Sequence, residues 1–286
     1  MTRAGDFLDR MAAGSRRRSA DAEARRPAED LAFRASHLPA PPALRLSLQG
    51  FDLLAEVKHR SPSAGTLAGG ALRSATQARE YARGGAAALS VLTEPDEFAG
   101  DLAHLKEVAA AARVPAMRKD FLVSPYQLLE ARLAGAGGVL LIAALLPGHQ
   151  LRAMLEATHR LGLFALVEVF DRDELDRAGR VIRSAGPARG AGRCRTLVGV
   201  NCRDLRTLRV DFGRFAQLAP HLPPDIPTVA ESGVETPAQA ARVAGLGYDV
   251  ALVGTALMRA SDPARLAAEL LAAGRASAAE SGRRRP

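Results

Sequence analysis

"VPAMRKDFLVSPYQLLEARLAGAGGVLLIAALL", residues 114–146, holds one complete unit of the fold. A short apolar run, "PAMRKD" (115–120), precedes a helical pattern over 125–135, and a second apolar run, "GVLLIAA" (138–144), follows it. Gly135 falls where the helical pattern ends, and a glycine there takes the left-handed conformation with no Cβ penalty. The runs are nearly continuous in apolar residues, which fits strands covered on both faces of a parallel sheet. The alternation extends in both directions, with further apolar runs at 52–58, 87–93, 164–170, 196–201, 226–232 and 249–254. Helical patterns lie between and after them, at 74–84, 99–112, 148–161, 171–184, 213–219, 236–245 and 263–273. Eight β-then-α units predict an α/β chain closed into a (β/α)8 barrel, the TIM barrel. An open doubly wound sheet would announce itself with a GxGxxG turn after an early strand, and none is present. The units share no repeated motif, which excludes a solenoid.

The flanks differ in composition. Residues 1–48 are expected to form a helical extension packed across one end of a barrel that spans 49–274. Residues 275–286 read as a disordered basic tail, and "SAGPARGAGRCR" (184–195) as a flexible loop before the sixth strand. Hydrophobic content of 48% and charged content of 24% are ordinary globular values. No apolar run is long enough for a membrane span, and the N-terminus lacks the apolar stretch of a signal peptide. Its acidic residues argue against a transit peptide, so the cytoplasm is expected, with no membrane partner. Cys194 and Cys202 have no metal-ligand spacing, and the six histidines form no HxH or HExxH, so no metal is expected. The net charge of +8 is concentrated partly in "SRRR" (15–18), "ARR" (24–26) and "GRRRP" (282–286). Such clusters can bind nucleic acid, but a solvated helix face and a tail explain them, and no nucleic-acid partner is expected.

Only three lysines occur among 36 arginines: Lys58, Lys106 and Lys119. A surface lysine exchanges for arginine at little cost, whereas one whose compact ammonium or pKa matters does not. Lys106 lies in a helical pattern and reads as a surface residue. Lys58 and Lys119 stand at the ends of the first and third apolar runs. In a barrel those C-terminal strand ends build the active site. Strand one ends in Glu56 and Lys58, which share a face at spacing two. Strand five carries Glu168 in "LVEVF"; strand six ends in Asn201 with Arg203 beyond. Strand seven ends in Glu231, Ser232 and Gly233, and strand eight in Gly254 and Thr255. Any one charged group could be a structural ion pair. Three carboxylates and two lysines at one end of the barrel point instead to general acid and base chemistry, because crowded charges in a water-poor pocket shift pKa values. Gly233, Gly254 and Thr255 follow strands seven and eight, where barrels often bind phosphate. Ser61, in the first loop, could add a hydroxyl. A Schiff base on either lysine stays open at this point.

The quoted stretch, with "AEVKHRSPSAG", "LSVLTEPDEFAGDLAHLKEV", "LVEVFDRDEL", "GVNCRDLRTLRVDF", "AESGVETP" and "LVGTALMRASDP", resembles the indole-3-glycerol-phosphate synthase family of tryptophan biosynthesis in order and over nearly the whole chain. The resemblance implies ring closure, decarboxylation and dehydration of 1-(2-carboxyphenylamino)-1-deoxyribulose 5-phosphate, by a carboxy-lyase that needs no cofactor or metal. It implies Lys119 as general acid on the ketone oxygen and Glu168 as base on the ring proton or in dehydration. Lys58 would stand near the substrate carboxylate, while Glu56, Asn201 and Glu231 would hold the lysines and substrate hydroxyls. Arg203 and Ser232 match pocket positions. Ser61, Gly233, Gly254 and Thr255 match a phosphate cradle, and Phe98, Phe121 and Leu140 apolar walls for the anthranilate ring. The family's extra N-terminal helix would cover the barrel mouth. Departures are Cys202 for a frequent second asparagine, Phe170 for a common histidine, Ala230 for a usual Ser or Thr, and a longer loop over 184–195. A phosphorylated small molecule is the expected partner, with a monomer or weak homodimer as the assembly. Phosphoribosylanthranilate isomerase, a rival phosphate-binding barrel, needs a cysteine and aspartate pair, and strand one has no cysteine. A basic nucleic-acid-binding barrel would give no reason for Glu168 or for lysine at 58 and 119.

Overall fold

The computed structural model describes residues 6–47, 49–58, 60–61, 65–66, 74–190, 192–204 and 209–282. Eight parallel strands close into a barrel in chain order: β1 (Asp52–Val57), β2 (Ala88–Leu92), β3 (Ala116–Lys119), β4 (Gly138–Ile142), β5 (Phe164–Val169), β6 (Thr196–Asn201), β7 (Thr228–Glu231) and β8 (Val250–Val253), with β8 returning to β1. Every strand is buried along its length, apart from the partly buried Lys119 at the end of β3. One set of side chains fills the barrel, among them Leu54, Ala88, Met117, Leu140, Leu166, Leu197, Val229 and Val250. The alternate set packs against the surrounding helices, as the near-continuous apolar runs require.

The N-terminal extension closes the barrel at both ends. Helix α1 (Asp6–Arg25) places Phe7, Leu8 and Met11 on the interior cluster from above the C-terminal strand ends. Helix α2 (Ala28–Ser36) packs against the helix Pro125–Leu133. Tyr126 donates its hydroxyl to the Arg26 carbonyl at 3.1 Å, and Arg132 donates to the Leu38 carbonyl at 3.4 Å. The chain then runs to the opposite face, where Leu44 joins the floor of the same interior cluster.

Two expectations change. The segment 184–195 contains a two-stranded ribbon, Arg189–Gly190 with Arg193–Cys194. It is held because Leu44, far away in sequence, bridges to Cys194, whose N–H donates to the Leu44 carbonyl at 2.8 Å. The expected tail from 275 is helical, since the last helix runs Pro263–Glu280. Phe51 packs over Gly274, where a Cβ would lie 2.1 Å from the ring, and Ala278 is buried. Residues 283–286 lie outside the described residues.

Candidate active site

The strand ends converge as the spacing predicts. Glu56 is in register with Ser90, Leu92 with Lys119, Ile142 with Glu168 and Asn201 with Glu231, so their side chains meet at one end of the barrel. Lys58 Nζ lies 3.0 Å from Glu56 Oε1 and donates to Thr255 Oγ1 at 3.0 Å. Lys119 Nζ lies 3.3 Å from Glu56 Oε2 and 4.0 Å from Glu231 Oε2. Glu56 is thus the carboxylate between both lysines. Asn201 lines the cleft with Glu168, and its Oδ1 accepts the Arg203 N–H at 2.9 Å, which fixes its amide orientation.

Burial would raise the Glu56 carboxyl, but Lys58 and Lys119 outweigh it and hold the group at about 2. Burial would lower Lys119, but the carboxylates of Glu56, Glu168 and Glu231 hold it above its ordinary value. The ammonium is therefore loaded with its proton at neutral pH. Burial and the charge of Glu168 push Glu231 well above the carboxylate range; burial likewise raises Glu168. Among the described residues, neither Glu231 oxygen nor Glu168 Oε1 meets a donor group. Two like charges buried together oppose each other's ionisation, so both carboxyls are held above their ordinary value, Glu231 the further.

The cleft above this cluster brings together nearly every residue singled out in the sequence. Phe98, Phe121 and Leu140 form its apolar side, and Arg203, Ser232, Gly233, Gly254 and Thr255 the opposite side. Glu231 lies fully buried beneath. The Ser61 side chain lies outside the described residues; its backbone pairs with Gly65 in a short ribbon. Ser232 and Gly233 have φ of 68° and 72°. Left-handed backbone at a non-glycine residue stores strain of order 1–3 kcal/mol, and such strain gathers at working sites. Gly254 is required for closeness as well as for the cradle, because a Cβ there would lie 2.6 Å from Glu56 Oε1 and 3.1 Å from Lys58 Nζ.

Three contributors were not read from the sequence. A Cβ on Gly199 would lie 2.0 Å from Glu231 Oε1, so the bare glycine makes room for that carboxyl. Phe7 enters the cleft from α1; the apolar spacing of Phe7, Leu8 and Met11 was its available signal. Asp120 lines the cleft beside Lys119, and Arg118 pairs with it at 3.0 Å. Cys202 and Phe170, the departures near strand ends, are buried apolar contacts; burial holds the Cys202 thiol up at about 12, where it is inert.

The family model for indole-3-glycerol phosphate synthase matches residues 8–270. The indole-3-glycerol phosphate synthase of Mycolicibacterium vanbaalenii is 44% identical over 271 residues, covering 93% of this chain and 94% of that one. Its counterpart from Parafrankia sp. is 48% identical over 223 residues, 78% of each chain. Among solved structures, 3-hexulose-6-phosphate synthase from Salmonella typhimurium aligns with a TM-score of 0.59 at 13% identity, over 81% of this chain and 100% of that one. Thiamine phosphate pyrophosphorylase from Pyrococcus furiosus aligns with a TM-score of 0.54 at 17% identity, over 81% and 99%. At those identities the two structures speak to the barrel alone.

Proposed function

The chain belongs to the indole-3-glycerol phosphate synthase family, and from that membership we propose how its residues divide the work. The activity joins a ring carbon of 1-(2-carboxyphenylamino)-1-deoxyribulose 5-phosphate to its ketone carbon, then releases carbon dioxide and water to leave indole-3-glycerol phosphate. On this reading the chain is a carbon–carbon lyase of the carboxy-lyase class.

Lys119 donates its proton to the ketone oxygen as the new carbon–carbon bond forms. The bond to the carboxylate then breaks, its electron pair restores the aromatic ring, and carbon dioxide leaves. Glu231, 4.0 Å away, returns a proton to Lys119. The hydroxyl then departs as water with that proton, while Glu168 takes the proton from the carbon beside the ring nitrogen. One proton is drawn from solvent overall, as loss of a carboxylate as carbon dioxide demands. Lys58, pinned between Glu56 and Thr255, holds the substrate's carboxylate. Asn201 orients Glu168, and Glu56 orients both lysines. Phe98, Phe121 and Leu140 enclose the ring, Ser61, Ser232, Gly233, Gly254 and Thr255 take the phosphate, and Arg203 closes the polar side. Membership of a biosynthetic family supports work in the cytoplasm; no helix among the described residues is long and apolar enough to cross a membrane.

The observation that carries this reading is the interlock of two lysines with buried carboxylates under an aromatic-walled cleft. The test is the purified chain mixed with the carboxyphenylamino-deoxyribulose phosphate, with no metal added, followed by indole fluorescence. Steady product formation is expected; its absence overturns the assignment.

A further inference from the structure

Arg18 extends from α1 to two barrel loops. Its Nη1 donates to Asp96 Oδ2 at 2.8 Å, and its Nη2 lies 3.5 Å from Glu94 Oε1 and 3.9 Å from Asp120 Oδ1. The Glu94 and Asp120 side chains are 0% and 3% exposed, and Nη2 itself is buried. Two carboxylates buried so near each other repel unless a cation stands between them.

Each carboxylate fixes the backbone of an aromatic wall. Glu94 Oε2 accepts the N–H groups of Glu97 at 2.7 Å and Phe98 at 3.3 Å, capping the single turn Pro95–Phe98. Asp120 Oδ1 accepts the Phe121 N–H at 2.8 Å; its Oδ2 accepts Thr93 Oγ1 at 2.8 Å and Arg118 Nη2 at 3.0 Å. The Phe98 and Phe121 ring centroids are 6.4 Å apart, and Phe7, on Arg18's own helix, lies 6.1 Å from Phe121. Ser15, one turn before Arg18, donates to the Phe121 carbonyl at 2.5 Å.

We propose that Arg18 is a positioning residue: it bridges Glu94 and Asp120 and thereby sets the spacing of Phe7, Phe98 and Phe121, the slot for the substrate's aromatic ring. The proposal rests on the reading that these rings enclose the anthranilate moiety. Lys119 follows Arg118 on β3, and its contacts go to Glu56 and Glu231 instead, so loss of Arg18 acts on binding before it acts on turnover.

Arg18→Ala and Arg18→Lys test this. Arg18→Ala is expected to raise KM about tenfold while kcat stays within about threefold. Guanidinium at about 20 mM is expected to restore most of the lost KM in Arg18→Ala and to leave the wild type unchanged, because it refills the site between the two carboxylates. Arg18→Lys keeps a cation and is expected to raise KM by no more than about threefold. An unchanged KM in Arg18→Ala overturns the proposal, and so does a raised KM that guanidinium leaves untouched. If Arg18→Ala fails to fold, Arg18→Gln takes its place: a KM raised about tenfold that guanidinium restores upholds the bridge, and an unchanged KM overturns it. Wild-type turnover in the same assay separates the two readings: without it the activity fails. In that event anthranilate binding, read by its own fluorescence, still reports whether Arg18→Ala opens the slot.

Discussion

The mouth and the floor of this barrel are made by opposite ends of the same eight strands, yet they treat buried polar groups in opposite ways. At the floor, the carboxylates have donors. Asp52 accepts the Ser47 N–H at 2.7 Å and pairs with Arg275 at 3.4 Å. Asp249 Oδ2 accepts from Thr228 N–H at 2.8 Å and Thr228 Oγ1 at 3.1 Å. At the mouth, three carboxyls crowd around two lysines, and among the described residues neither Glu231 oxygen meets a donor group. Ser232 adds strained backbone there. Matched groups at the floor close the fold, while the mouth gives up stability to keep reactive groups poised.

The hardest blow to that contrast is at Lys119. Lys119→Arg keeps the charge against Glu56 but removes a good proton donor, so kcat should fall about 10³-fold with little change in thermal midpoint. Near-normal kcat would remove Lys119 as the acid. Gly254→Ala comes next. Its Cβ intrudes on Glu56 and Lys58 at once, so both kcat and KM should worsen, by about 10- to 100-fold in kcat/KM. A change confined to KM would mean that Gly254 serves the phosphate alone.

Glu231→Gln probes what the mouth gives up. A carboxyl whose pKa is raised in the folded state binds more protons there than in the unfolded chain, so it lowers stability increasingly as pH rises above the unfolded carboxylate value toward the raised one. Gln carries no such charge. The variant should match the wild type near pH 4.5 and exceed its thermal midpoint at pH 8 by on the order of 3 °C, while kcat falls about tenfold. Equal midpoints at both pH values would mean that Glu231 ionises freely.

The legibility of the two ends differed as well. The strands, the Gly135 helix end and the strand-end lysines and carboxylates were legible because period and position are local properties of a barrel unit. Gly199 and Arg18 were not. Gly199 matters only because Glu231 from the next strand swings over it, and Arg18 only because α1 folds back onto two loops some 76 to 102 residues onward. The ribbon at Arg189–Cys194 depends on Leu44 in the same way. The helix beyond 274 was hidden because Gly274, Arg275 and the alanines after them show no broad apolar face; its small side chains are what admit Phe51.

Arg275→Met, at the floor, should have the smallest effect on turnover and sharpens the comparison most. Removing the guanidinium leaves the buried Asp52 without its cation and the Phe51 carbonyl without the Arg275 Nε donor at 3.1 Å. The loss should be about 1–2 kcal/mol, or roughly 2–5 °C in thermal midpoint. The Ser47 N–H still holds Asp52, and Phe51 still packs on Gly274, so the strands keep their register. At 25 °C kcat/KM should therefore stay within about 1.5-fold of the wild type, since nothing at the mouth has moved. A destabilised variant with full activity would separate closure from chemistry along a single strand, because Asp52 and Glu56 both belong to β1. A fall in kcat that tracks the loss of stability would mean that the floor braces the lysine–carboxylate cluster through β1 and that the two ends act as one.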